Sequence, residues 1–98
     1  MDIGTAIKTI RKRKGITAKE LSIMIEISAN ALCSIETNNS FPSKATIKKI
    51  CKALNIPPAY LLFFSITDED LPTESQALFN ALYKPLKEAL LKDINTNK

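Results

Sequence analysis

A 98-residue chain with 45% hydrophobic and 24% charged residues has the composition of one small globular domain, not of a disordered tail. It contains no His and two cysteines, Cys33 and Cys51, too few ligands for a four-coordinate zinc site. Its net charge of +4 is uneven, because residues 1–64 carry ten Lys/Arg against four Asp/Glu whereas residues 65–98 carry four Lys against six Asp/Glu.

The basic half favours an anionic partner, of which a nucleic-acid backbone is the commonest. No run of about 18 apolar residues is present, so no membrane span is expected. The start, MDIGTAIKTIRKRKG, places its positive charges after its apolar residues. A secretory signal has the reverse order, so a cytoplasmic location is expected. In that reducing setting both cysteines are expected to be small apolar filler inside helices rather than a disulfide. Without clustered carboxylates, a Gly-rich loop or a nucleophile beside a base, no enzyme, cofactor, metal or small-molecule site is expected.

In chain order, Ile3, Ile7 and Ile10 share one helical face, which gives a first helix over about residues 3–14. Arg11, Lys12, Arg13 and Lys14 load its last turn, where cations suit the helix dipole, and Gly15 ends it. Thr17 and Glu20 in TAKE form a capping box for a second helix with Leu21 and Ile25 inward. Ser22 is small, as a close helix crossing requires. Ser28 caps a third helix to about Thr37, with Ile27, Leu32 and Ile35 inward and Ala29, Asn30, Cys33 and Ser34 outward. Two short helices joined by a tight turn over Thr17–Glu36 have the layout of a helix-turn-helix.

Residues 38–42 read as a loop. Ser43 caps a fourth helix with Ile47, Ile50, Cys51 and Leu54 buried, and Asn55 closes it in the left-handed conformation. Pro58 opens a fifth helix to about Phe63. The acidic stretch 65–72, SITDEDLP, reads as a connecting turn between a domain of residues 1–64 and a C-terminal helical element of residues 73–93. There Leu78, Phe79, Leu82, Tyr83, Leu86 and Leu90 form an apolar stripe. Pro85 is expected to kink or split that helix, and residues 94–98 to fray.

The chain resembles the phage-repressor-like helix-turn-helix proteins, the Cro and lambda-repressor type also called Xre-like, over about residues 3–63. The resemblance is carried by the I-R-x-x-x-G-I-T run from Ile10 to Thr17, Glu20-Leu21-Ser22, Ile27-Ser28, Leu32, Ile35-Glu36, Pro42-Ser43 and the K-A-L-N-I run from Lys52 to Ile56. It implies an all-α fold: a compact five-helix lambda-repressor-like domain, here with an additional C-terminal helical segment.

It further implies a cytoplasmic transcriptional regulator, a repressor, that binds double-stranded DNA as a homodimer and lays the third helix in the major groove. Base contacts would come from Ser28, Ala29, Asn30, Cys33 and Ser34, with Asn30 suited to adenine. Phosphate contacts would come from Thr17, Ala18, Lys19, Asn38, Asn39, Ser43 and Lys44. Arg11 and Glu36 would form a structural ion pair, and the stripe from Leu78 to Leu90 a dimerisation or core-capping surface.

Three departures from the family pattern stand out. Ala18 replaces the usual Gln, Glu26 replaces the usual turn Gly, and the outer face of the third helix lacks Arg, Lys and Gln. They leave room for an alternative, a protein-interaction module or antitoxin with weak DNA binding. Ile23 and Met24 stand where the family is polar, and cover by residues 73–92 of the same chain or a partner is expected for them.

Overall fold

The computed structural model describes residues 1–96, and in these it is all helical. Six α-helices run α1 Ile3–Arg13, α2 Ala18–Met24, α3 Ala29–Glu36, α4 Lys44–Leu54, α5 Pro58–Ser65 and α6 Thr73–Thr96, with one short 3-10 turn at Asp68–Asp70. The first five form the compact lambda-repressor-like bundle and the sixth is the additional segment.

α1 is the hub, packed against α3, α4, α5 and α6. Its face of Ile3, Ala6, Ile7 and Ile10 is buried, and the core it opens includes Leu21, Ile25, Leu32, Ile50, Leu54 and Leu61. Asp2 caps α1 by accepting from the Thr5 N–H at 3.1 Å, and its own N–H donates to the Ser65 carbonyl at 2.7 Å, joining the start of α1 to the end of α5.

Four helices end in the same way. Gly15, Glu26, Asn38 and Asn55 follow α1, α2, α3 and α4 with φ of 72°, 60°, 64° and 56°. In each case the next residue donates its N–H back across the last turn: Ile16 to Arg11, Ile27 to Ser22, Asn39 to Ser34 and Ile56 to Cys51, at 2.9–3.1 Å. This is the Schellman turn, in which a left-handed residue lets orphan carbonyls find donors. In three of the four the following residue is an isoleucine, which returns the chain to the core.

α6 departs from expectation in several ways. It runs unbroken through Pro85, so the helix is not split there. It does not fray at Ile94, which is buried in the core with Leu91; Asn97 and Lys98 lie outside the described residues. Nor does it cover α2. It packs on α1, and Tyr83 donates its hydroxyl to the Phe63 carbonyl at 2.7 Å while its ring lies 4.6 Å from that of Phe63. Ile23 and Met24 stay 66% and 52% exposed, so cover by the same chain is ruled out. Cys51 is buried, but Cys33 is exposed and free, so only the former is core filler.

Candidate nucleic-acid interface

The segment from Thr17 to Glu36 is built by local rules. Thr17 Oγ1 accepts from the Glu20 N–H at 3.1 Å and Glu20 Oε1 accepts from the Thr17 N–H at 2.9 Å, a complete capping box. The Thr17 hydrogen bonds hold the Glu20 carboxyl below its ordinary pKa. With those groups satisfied, Ala18 and Lys19 present exposed side chains at the positive end of α2. Ser22 is buried and donates to the Lys19 carbonyl at 2.7 Å.

Glu26 makes the turn between α2 and α3. A non-Gly residue held in this left-handed region costs on the order of 1 kcal/mol, and nothing about its exposed side chain offsets that locally. Ser28 then caps α3, its Oγ accepting from the Ala31 N–H at 3.0 Å.

α3 is held from behind and open in front. Leu32 and Ile35 anchor it in the core. Arg11 grips its far end: Nε donates to Glu36 Oε2 at 2.8 Å and an Nη donates to Oε1 at 3.1 Å. The second Nη donates to the Ile16 carbonyl at 2.9 Å. Both side chains of the pair are 8% exposed, so a two-pronged charged bond ties α1, α3 and the α1–α2 turn together in a water-poor place.

On the opposite side Ser28, Ala29, Asn30 and Cys33 are exposed and Ser34 is half-buried, so the five residues named from the sequence share one open face. Ala31 is exposed on the same helix.

Ser43 caps α4 through the Thr46 N–H at 3.2 Å, and Lys44 is exposed at that helix start. Thr17, Ala18, Lys19, Ser43 and Lys44 thus sit at two helix N-termini, the places where free N–H groups favour an anion.

Asn38 and Asn39 require separate treatment. The Asn38 amide is occupied: its Oδ1 accepts from the Gly4 N–H at 3.0 Å and its Nδ2 donates to Asp2 Oδ1 at 2.6 Å. Those bonds aim its side chain at the start of α1, so Asn38 ties the end of α3 to that helix. Asn39 donates through Nδ2 to Thr37 Oγ1 at 3.1 Å and is exposed.

The apolar stripe of α6 also divides. Tyr83 is buried, Phe79 and Leu90 are half-buried, and Phe79 and Tyr83 stack at 4.8 Å. Leu78, Leu82 and Leu86 remain exposed.

A capped α2, a left-handed turn, and an α3 fixed by its back with its front open define a helix-turn-helix protein. The match to known sequences agrees, since a helix-turn-helix domain family model covers residues 4–63. The chain belongs to this phage-repressor-like helix-turn-helix family. Among its relatives, the immunity repressor protein of Bacillus phage phi105 is 31% identical over 81 residues, 83% of this chain and 54% of that protein. The competence pilus inhibition repressor of Acinetobacter baylyi is 27% identical over 86 residues, 88% of this chain and 76% of that protein. The chain therefore spans only about half the length of the phage relative.

Among the described residues, no three His, Cys, Asp or Glu side chains come together as a metal site, and no helix is long and apolar enough to cross a membrane.

Proposed function

We propose that the chain is a sequence-specific DNA-binding transcriptional repressor that reads the major groove with α3 and acts as a homodimer. The observation that carries this reading is the anchoring of α3. Arg11 and the core immobilise its back, while Ser28, Ala29, Asn30 and Cys33 stand clear of the rest of the chain. A rigid helix with a free polar-to-small face is what groove docking needs. Both relatives carry the word repressor in their names, which supports the same direction.

In this reading Asn30 bonds adenine N6 and N7, Ser28 and Ser34 bond bases or nearby phosphates, and Ala29 meets a thymine methyl. Ala18, Lys19, Ser43, Lys44 and Asn39 hold the backbone on either side. Two copies would read half-sites about 34 Å apart. Selection of bound sequences from a random DNA pool tests the proposal: a palindromic motif supports it, and no enrichment sinks it.

A second reading, a protein-interaction module or antitoxin on the same scaffold, is favoured by one observation. Glu26 places a negative charge in the exposed turn just ahead of a reading face without Arg or Lys. Titration against random duplex separates the two. A repressor's affinity falls steeply with salt through counterion release, whereas an interaction module shows no binding even near 50 mM salt.

A further inference from the structure

Phe41 is the aromatic side chain that stays out of the core. Tyr60, Phe63, Phe64, Phe79 and Tyr83 are buried or half-buried, whereas Phe41 is 67% exposed. A single exposed apolar residue is ordinary on a protein surface, so its place matters more than its exposure.

That place is fixed from both sides. The Asn39 and Ser40 N–H groups both donate to the Ser34 carbonyl, at 2.9 and 3.1 Å, which folds the loop back onto the end of α3. Just beyond Phe41, Pro42 is buried and Ser43 caps α4. A proline restricts the residue before it to extended backbone. Phe41 is thus held extended between two anchors, with its ring in solvent.

Its neighbours are the groups assigned above to the DNA backbone. Asn39 lies two residues before it, and Ser43 and Lys44 lie two and three residues after. An exposed aromatic therefore stands between two phosphate-holding points, on a loop anchored to Ser34 of the reading face.

We propose that Phe41 packs its ring on a deoxyribose of the strand held between Asn39 and the start of α4, an apolar DNA contact that reads no base. The proposal rests on the DNA-binding reading above and adds a residue to its interface. Between phosphates, the C–H edges of the sugar are the apolar surface a DNA strand offers. Covering them removes ring and sugar from water, a gain that depends on area and not on charge. Such a contact adds affinity without releasing counterions and without distinguishing sequences. It offsets in part a reading face that carries no Arg, Lys or Gln.

The test uses the full chain, titrated across a salt series with random duplex and with the selected site. Covering about 60 Å² of apolar surface corresponds to about tenfold in affinity. Phe41→Ala should therefore bind both duplexes about tenfold more weakly, with the wild-type salt slope and melting temperature. Phe41→Leu should recover part of the loss. That pattern separates Phe41 from Lys19 and Lys44, whose removal lowers the slope, and from Asn30, whose removal falls on the selected site alone. The chain has no Trp, so Phe41→Trp supplies a single indole. Adding random duplex should shield that indole from quenching by acrylamide.

If Phe41→Ala binds random duplex as tightly as the wild type, or the indole stays equally open to acrylamide, the contact is overturned while the DNA-binding reading stands. A loss confined to palindromic selected sites overturns it as well, since Phe41 would then touch a second copy and not a sugar. A wild type that binds no duplex even near 50 mM salt ends the DNA-binding reading, and this contact with it.

Discussion

Gly4 lies against the end of α3 so closely that its N–H donates to Asn38 Oδ1 at 3.0 Å, with no room left for a side chain. A Cβ at Gly4 would strike the Ile35 carbonyl oxygen and stand 2.8 Å from that of Glu36. The obstacle is backbone, which cannot swing aside. Gly4→Ala is therefore expected to destabilise the fold by about 1–3 kcal/mol through overpacking, seen as a lowered midpoint in urea unfolding. An unchanged midpoint would mean that α1 can shift without loss.

The Arg11–Glu36 pair is buried, so removing one partner strands the other. Arg11→Ala should cost about 3 kcal/mol or more of stability, and Glu36→Gln a comparable amount. Thermal melts together with DNA titrations check this. A loss of DNA affinity at full stability would show Arg11 to be a ligand of DNA instead of a brace for α3.

Glu26 sits at φ 60°. Glu26→Gly relieves that strain but gives the unfolded chain more freedom, so the net gain should be about 0.5–1 kcal/mol. Calorimetry should show a rise of a few degrees. Losing a negative charge from the turn should also strengthen binding to duplex DNA at low salt, and a weaker complex would place Glu26 away from the phosphates.

Burial pushes the Tyr83 phenol above its ordinary pKa. The folded state thus retains the proton more tightly than the unfolded state. The stability this contributes is complete below the usual phenol range near pH 10 and is lost as pH rises through the higher folded value. Tyr83→Phe should cost about 0.5–1.5 kcal/mol at pH 8 through the lost bond to Phe63. Its melting temperature should then fall less steeply than the wild type's between about pH 9 and 11. Cys51 and the lysines titrate in both proteins, so the difference between the two curves reports Tyr83.

At the reading face, Asn30→Ala should reduce affinity for the selected site by about 1–3 kcal/mol and leave random-duplex binding unchanged. Lys19→Ala and Lys44→Ala should weaken both kinds of DNA equally and each lower the salt slope by about one. Quantitative gel shifts across a salt series distinguish the two patterns.

Much of this was legible in the chain because its signals are local. The capping box at Thr17 and Glu20, the serine caps at Ser28 and Ser43, and the closing residues Gly15 and Asn55 concern groups three to six residues apart. Isoleucine spacing in α1 named its buried face for the same reason. What escaped was set across distance. Asn38 in a polar loop gives no sign that it will reach 34 residues back to Gly4. The stripe of α6 could not be divided into a core side and an open side without knowing which way that helix docks.

By itself, then, the sequence determined where helices start and stop, which faces are apolar, and the ordered motif that marks a helix-turn-helix, since backbone capping and periodicity depend on near neighbours. Only the tertiary structure decided that α6 packs on α1 and α5 and leaves Ile23 and Met24 bare, that Asn38 serves α1, and that Leu78, Leu82 and Leu86 face outward. Those outcomes depend on how whole helices fit together in space, a choice made by the shape of the shared core and by no single stretch of chain.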